Sequence, residues 1–77
     1  MNDVANRARG LLADALELEP GEIGDDASMD TVGAWTSLGH MRLVLALEQT
    51  LGRELDPASI VEIETLKDIE TLLQSGA

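Results

Sequence analysis

The chain has no cysteine, no phenylalanine and no tyrosine. Without cysteine, neither a disulfide framework nor a thiolate zinc site can form. With Trp35 as its only aromatic residue, the apolar supply is aliphatic: thirteen Leu, four Ile, four Val and nine Ala. Strands favour β-branched and aromatic side chains, so this composition suits short packed helices better than a sheet. No apolar run approaches the roughly 20 residues that a membrane-spanning helix needs. The start, Met1-Asn2-Asp3, lacks the basic region and apolar stretch of a secretory signal, which leads to the expectation of a soluble cytoplasmic protein.

Basic residues are also scarce. Five of them face fifteen acidic ones, for a formal net charge of −10 over 77 residues. Such a charge repels nucleic acid and anionic membranes and speeds encounters with basic protein surfaces. Arg7, Arg9, Arg42, Arg53 and Lys67 are scattered and make no basic patch, so nucleic-acid binding is excluded. The acids are spread along the chain rather than gathered in a disordered tail. Asp25, Asp26 and Asp30 lack the alternating oxygen spacing and closing glutamate of a calcium loop, and no metal site is expected.

What is present is helical periodicity. Asn2 or Asp3 can cap a first helix over about 3–18, with Val4, Ala8, Leu11, Leu12, Ala15 and Leu16 on one face and Pro20-Gly21 as its stop. A long stretch without helical period follows to Thr36, with Ile23, Ala27, Met29 and Val32 available to pin it to a core. A second helix is predicted over 37–51, ended by Gly52. Asp56 and Pro57 open a short third helix over 57–63. Thr65 and Asp68 form a capping box before a fourth over 66–75, which Gly76 follows. The expectation is one all-α domain over 1–77: a four-helix bundle with a short third helix and a long first loop.

The second helix carries two apolar faces. At about 100° per residue, Leu43, Val44, Leu47 and Leu51 gather on one side, while Leu38, Met41 and Leu45 gather nearly opposite. A helix in so small a bundle turns one face to the core. The longer stripe is the core candidate, and the other three residues are expected to be partly exposed as a partner site.

At the start of this helix stands Trp35-Thr36-Ser37-Leu38-Gly39-His40-Met41. Here the chain resembles the acyl carrier protein family, which places a serine, usually within Asp-Ser-Leu, at the start of the second of four helices. Leu18-Glu19-Pro20-Gly21-Glu22-Ile23 looks like the family's turn after the first helix, and Asp26-Ala27-Ser28-Met29 is similar to its loop anchor. Leu45-Ala46-Leu47-Glu48-Gln49-Thr50-Leu51-Gly52 resembles its second-helix ending, and Ile63-Glu64-Thr65-Leu66-Lys67-Asp68-Ile69 its entry into the last helix.

The resemblance implies a carrier whose Ser37 hydroxyl receives 4'-phosphopantetheine from coenzyme A through a phosphopantetheinyl transferase. The arm's thiol then holds acyl groups as thioesters. The implied partners are that transferase and acyl-loading and acyl-processing enzymes with basic or apolar docking surfaces. Leu38, Met41, Leu45, Trp35 and Thr36 are the expected docking residues, and the carrier is expected to be a monomer and not an enzyme. The site suits a phosphodiester, because a helix's first turn offers free N–H groups and the positive end of its dipole.

Two residues depart from the family's pattern. Thr36 stands where the aspartate is usual, so it can cap the helix but offers no carboxylate. Arg42 sits in a helix that the family usually makes acidic, and only Glu48 is acidic in its body. His40 lies three residues from Ser37, within helical reach. A catalytic pair would need a third group and oxyanion donors, which the sequence does not supply, so His40 is expected to be a neutral histidine at the core's edge. Trp35 either meets the arm or partner, or caps the small core. The competing functional class is an unmodified acidic helical interaction module, of inhibitor or immunity type, which would not require Ser37.

Overall fold

A computed structural model describes residues 3–75. The chain forms α1 (Asp3–Leu16), a single 3₁₀ turn (Pro20–Glu22), α2 (Ser37–Leu51), α3 (Pro57–Glu62) and α4 (Leu66–Ser75). This is the expected all-α bundle, with no strand among the described residues.

The caps explain most of these bounds. Thr36 Oγ1 accepts from Gly39 N–H at 3.3 Å and opens α2. Gly52 closes it with φ 73°, its N–H donating to Glu48 C=O at 2.9 Å. That backbone conformation carries no steric cost for glycine. At α3, Asp56 accepts from Ser59 N–H at 3.0 Å, and Pro57 follows at the first helical position. Hydrogen bonds from Ser59, side chain before backbone, hold the Asp56 carboxyl below its ordinary range. The cap therefore works above ordinary carboxylate titration and is lost as pH falls through the lowered pKa. At α4 the box is reciprocal: Asp68 N–H donates to Thr65 Oγ1 at 3.1 Å, and Asp68 Oδ2 accepts from Thr65 N–H at 3.0 Å. The possible Asn2 cap and Gly76 lie outside the described residues.

Two helix ends differ from the sequence expectation. α1 stops at Leu16 rather than near 18, well before Pro20-Gly21. Glu17 adopts a left-handed φ of 61°, Leu18 N–H donates to Ala13 C=O at 2.8 Å, and Glu17 N–H to Asp14 C=O at 3.3 Å. This is the double closure usually built on glycine, so the glutamate gives no local signal of it. The turn brings Leu18 back against the core, and that packing offsets the strain. α3 ends at Glu62, because Ile63 goes extended and is buried.

The long loop is tethered at several points. Ile23 and Ala27 are buried, and Met29 and Val32 are half-buried against the core. Met29 N–H donates to Glu64 C=O at 2.9 Å and Leu66 N–H to Ala27 C=O at 3.0 Å, an antiparallel bridge between Ser28 and Thr65. From α1, Arg9 donates Nε to Ile23 C=O at 3.0 Å and pairs with Asp25.

α1 packs against both α2 and α4. Leu12, Leu43, Leu47, Ile63, Leu66 and Ile69 are fully buried between them. The α1–α2 crossing is close at Gly39, where a Cβ would fall 2.5 Å from Leu16 Cδ2 and 3.1 Å from the Ala34 carbonyl oxygen. Gly39→Ala gains up to about 1 kcal/mol of helix propensity but overpacks the crossing, at a cost of about 1–3 kcal/mol. The expected outcome is net destabilisation, read from the denaturant midpoint. A midpoint at or above that of wild type would show that Leu16 and the Ala34 segment yield freely.

Candidate functional site at the start of α2

Ser37 is the first residue of α2 and is exposed. Its hydroxyl has no hydrogen-bond partner among the described residues, so it is free to react. Immediately behind it, the helix is divided as its two stripes predicted. Leu43, Val44 and Leu47 are buried and Leu51 is half-buried. Leu38, Met41 and Leu45 are 60%, 64% and 58% exposed. Val61 on α3 is 73% exposed, and an apolar groove of about 300 Å³ runs between the helices, lined by His40, Met41, Val44, Leu45 and Ile60.

The charges of α2 are already engaged. Arg42 pairs with Glu17 at 3.2 Å on the surface. Glu48 accepts from Leu55 N–H at 3.0 Å and holds the turn before α3. No free carboxylate is left on the helix, so its exposed stripe is an apolar surface on a chain of net charge −10. Asp25 is turned to Arg9, and no cluster of three or more metal-ligating side chains occurs among the described residues.

Of the five expected docking residues, Leu38, Met41, Leu45 and Thr36 are on the surface and Trp35 is not. Trp35 is 3% exposed, which corrects its assignment to a docking face and selects its role as a cap on the core. Its indole Nε1–H donates to His40 Nδ1 at 3.0 Å, with the two rings stacked at 6.2 Å. His40 Nε2 lies 3.0 Å from the Ile60 carbonyl oxygen. Both imidazole nitrogens are thus occupied, which leaves none to take a proton from Ser37. The sequence had brought Trp35 and His40 to notice separately. That they meet each other, and that His40 reaches the Ile60 carbonyl, depends on an orientation no local pattern encodes.

The hydroxyl suits a phosphodiester: it is exposed and unpartnered, at the positive end of a 15-residue helix. Comparison with known proteins supplies the family. The family described as a phosphopantetheine attachment site matches residues 6–73. The chain belongs to the acyl carrier protein family. It is 36% identical to an acyl carrier protein of Zymomonas mobilis over 69 residues, covering 88% of this chain and 87% of that protein. An acyl carrier protein of Bradyrhizobium sp. is 31% identical over 78 residues, covering 100% of this chain and 98% of the relative. Similarity also extends to a non-reducing polyketide synthase of Phaeosphaeria nodorum, at 34% identity over 74 residues, which is 96% of this chain and 4% of that protein. Phosphopantetheine is the group this carrier uses, and when bound it supplies the thiol that holds an acyl group as a thioester. Among the described residues, no helix of the carrier is long and apolar enough to cross a membrane.

Proposed function

We propose that Ser37 is the attachment residue of this acyl carrier protein, and that residues 1–77 work as one carrier domain in the cytoplasm. The observation that supports this most is the exposed, unpartnered hydroxyl at the first turn of α2. The chain's own residues bind and orient: Thr36 fixes the first turn, Gly39 sets its closeness to α1, and Leu38, Met41 and Leu45 offer a surface to partners. Activation of the hydroxyl belongs to the transferase and thioester chemistry to the acyl-loading and acyl-processing enzymes, so the carrier itself is not an enzyme and works as a monomer. Incubation with coenzyme A and a broad-specificity transferase is expected to add one phosphopantetheine by intact mass, mapped to the Ser37 peptide. Absence of the shift with several transferases, or its appearance on another residue, overturns the assignment.

Thr36 bears on which transferase acts. A transferase that reads Asp-Ser-Leu loses one hydrogen bond to a charged group here. Such bonds are worth about 1.5–3 kcal/mol, or roughly tenfold or more in efficiency. Thr36→Asp is expected to recover much of that with little change in folding, since both residues cap the helix. The check is the initial modification rate with one generic transferase. A rate unchanged or lowered by Thr36→Asp indicates a dedicated transferase that reads the threonine.

A further inference from the structure

α3 is the helix with the least to hold it. None of its residues is buried, and it spans only Pro57–Glu62. Among the described residues, one hydrogen bond ties it to another element, the 3.0 Å contact between His40 Nε2 and the Ile60 carbonyl oxygen. A carbonyl only accepts, so Nε2 carries the proton. An indole N–H only donates, so Nδ1 is the acceptor toward Trp35. The two contacts demand the same neutral tautomer and reinforce each other. Trp35 is locked in the core at 3% exposure, so the imidazole is clamped from behind and points at α3. The Ile60 carbonyl otherwise receives only the Ile63 N–H, at a long 3.4 Å.

We propose that His40 is a positioning residue: held by Trp35, it fixes α3 against α2 so that Val61 joins Leu38, Met41 and Leu45 in the surface covered by the phosphopantetheinyl transferase. This rests on Ser37 being the attachment residue. Leu38 directly follows Ser37, so an enzyme that reaches the hydroxyl covers the start of this stripe. The stripe's one cation, Arg42, is already paired with Glu17, which leaves an apolar surface for an apolar partner. Val61 directly follows Ile60, the α3 residue that lines the groove, and is itself 73% exposed. Apart from the His40 contact, α3 is held by the half-buried Ile60 and by the buried Leu55 and Ile63 on either side of it, so the His40 bond is its one directional tie to α2.

Two conservative variants separate the two bonds. In His40→Asn the amide oxygen falls where Nδ1 lies, which keeps the Trp35 bond and gives up Ile60. In His40→Gln the amide nitrogen reaches the Nε2 position, which keeps Ile60 and gives up Trp35. Each variant loses one bond of the pair, so a purely structural role predicts similar behaviour from both. The readouts are amide exchange at Ile60–Ile63 in the unmodified protein, and KM and kcat for the carrier with coenzyme A and a generic transferase. The expected result is that His40→Asn speeds α3 exchange about tenfold relative to His40→Gln and raises KM several-fold at constant kcat, an effect on binding alone. Val61→Ala is expected to raise KM by itself, with His40→Asn adding nothing in that background, as for residues acting through one element. Equal KM for the two His40 variants, or a wild-type KM for Val61→Ala, overturns the proposal. If the wild type accepts no phosphopantetheine, the Ser37 assignment fails, and equal α3 exchange in the two variants then separately overturns the role of His40.

Discussion

Ser37→Ala is expected to abolish phosphopantetheinylation completely while leaving the fold intact. Loss of the hydroxyl removes the only atom at this position that can be esterified. No hydrogen bond is lost with it among the described residues, and the side chain is exposed, so the stability change should stay within about ±0.5 kcal/mol. Alanine is also the better helix former, and the cap that opens α2 comes from Thr36, which the substitution leaves alone. The measurement is intact mass after a reaction that fully converts the wild type, paired with thermal or denaturant unfolding of both proteins. A mass shift that survives the substitution would move the attachment elsewhere. A large fall in stability would mean that Ser37 has a structural role and that the loss of modification does not isolate its chemistry.

Leu47→Ala has the largest expected effect on stability, and its counterpart on the opposite face shows why α2 matters. Leu47 is fully buried with Leu43 where α1 meets α2, so truncation costs the transfer energy of three carbons plus the cavity left behind, about 2–5 kcal/mol. A chain of this size has about 5–15 kcal/mol in total, and each kcal/mol lowers the melting midpoint by about 4–8 °C. Leu45→Ala removes the same atoms from a side chain 58% exposed. It should change stability by about 0.5 kcal/mol or less but slow transfer to and from partner enzymes. Urea unfolding of both variants, with their modification rates, provides the comparison. Equal destabilisation would mean that both faces are buried in solution, and the docking role of Leu38, Met41 and Leu45 would fall.

Much of this molecule was legible because its signals are local. The bounds of α2 follow from Thr36 and Gly52, and the start of α4 from Thr65 and Asp68, since a cap joins residues three or four apart. The division of α2 into a buried and an exposed stripe follows from helical period and from the fact that a small bundle covers one side of each helix. The candidate attachment serine follows from its motif, and the scarcity of aromatics favoured packed aliphatic helices over a sheet.

The tertiary structure alone decided what depends on residues distant in sequence. α1 ends at Leu16 on a left-handed glutamate, in a turn that packs the half-buried Leu18 against the core where local preference would put glycine. The loop is held by a backbone bridge between Ser28 and Thr65, whose hydrogen bonds use no side chain and leave no mark in composition. Gly39 reads as a poor helix residue until Leu16 and the Ala34 carbonyl are found against it. Trp35 had two open roles in sequence, and only the fold shows it buried at 3% exposure with its indole N–H on His40, whose other ring nitrogen meets the Ile60 carbonyl. Period and capping are written within one turn of chain, whereas the approach of two elements is set by how all the helices share one core.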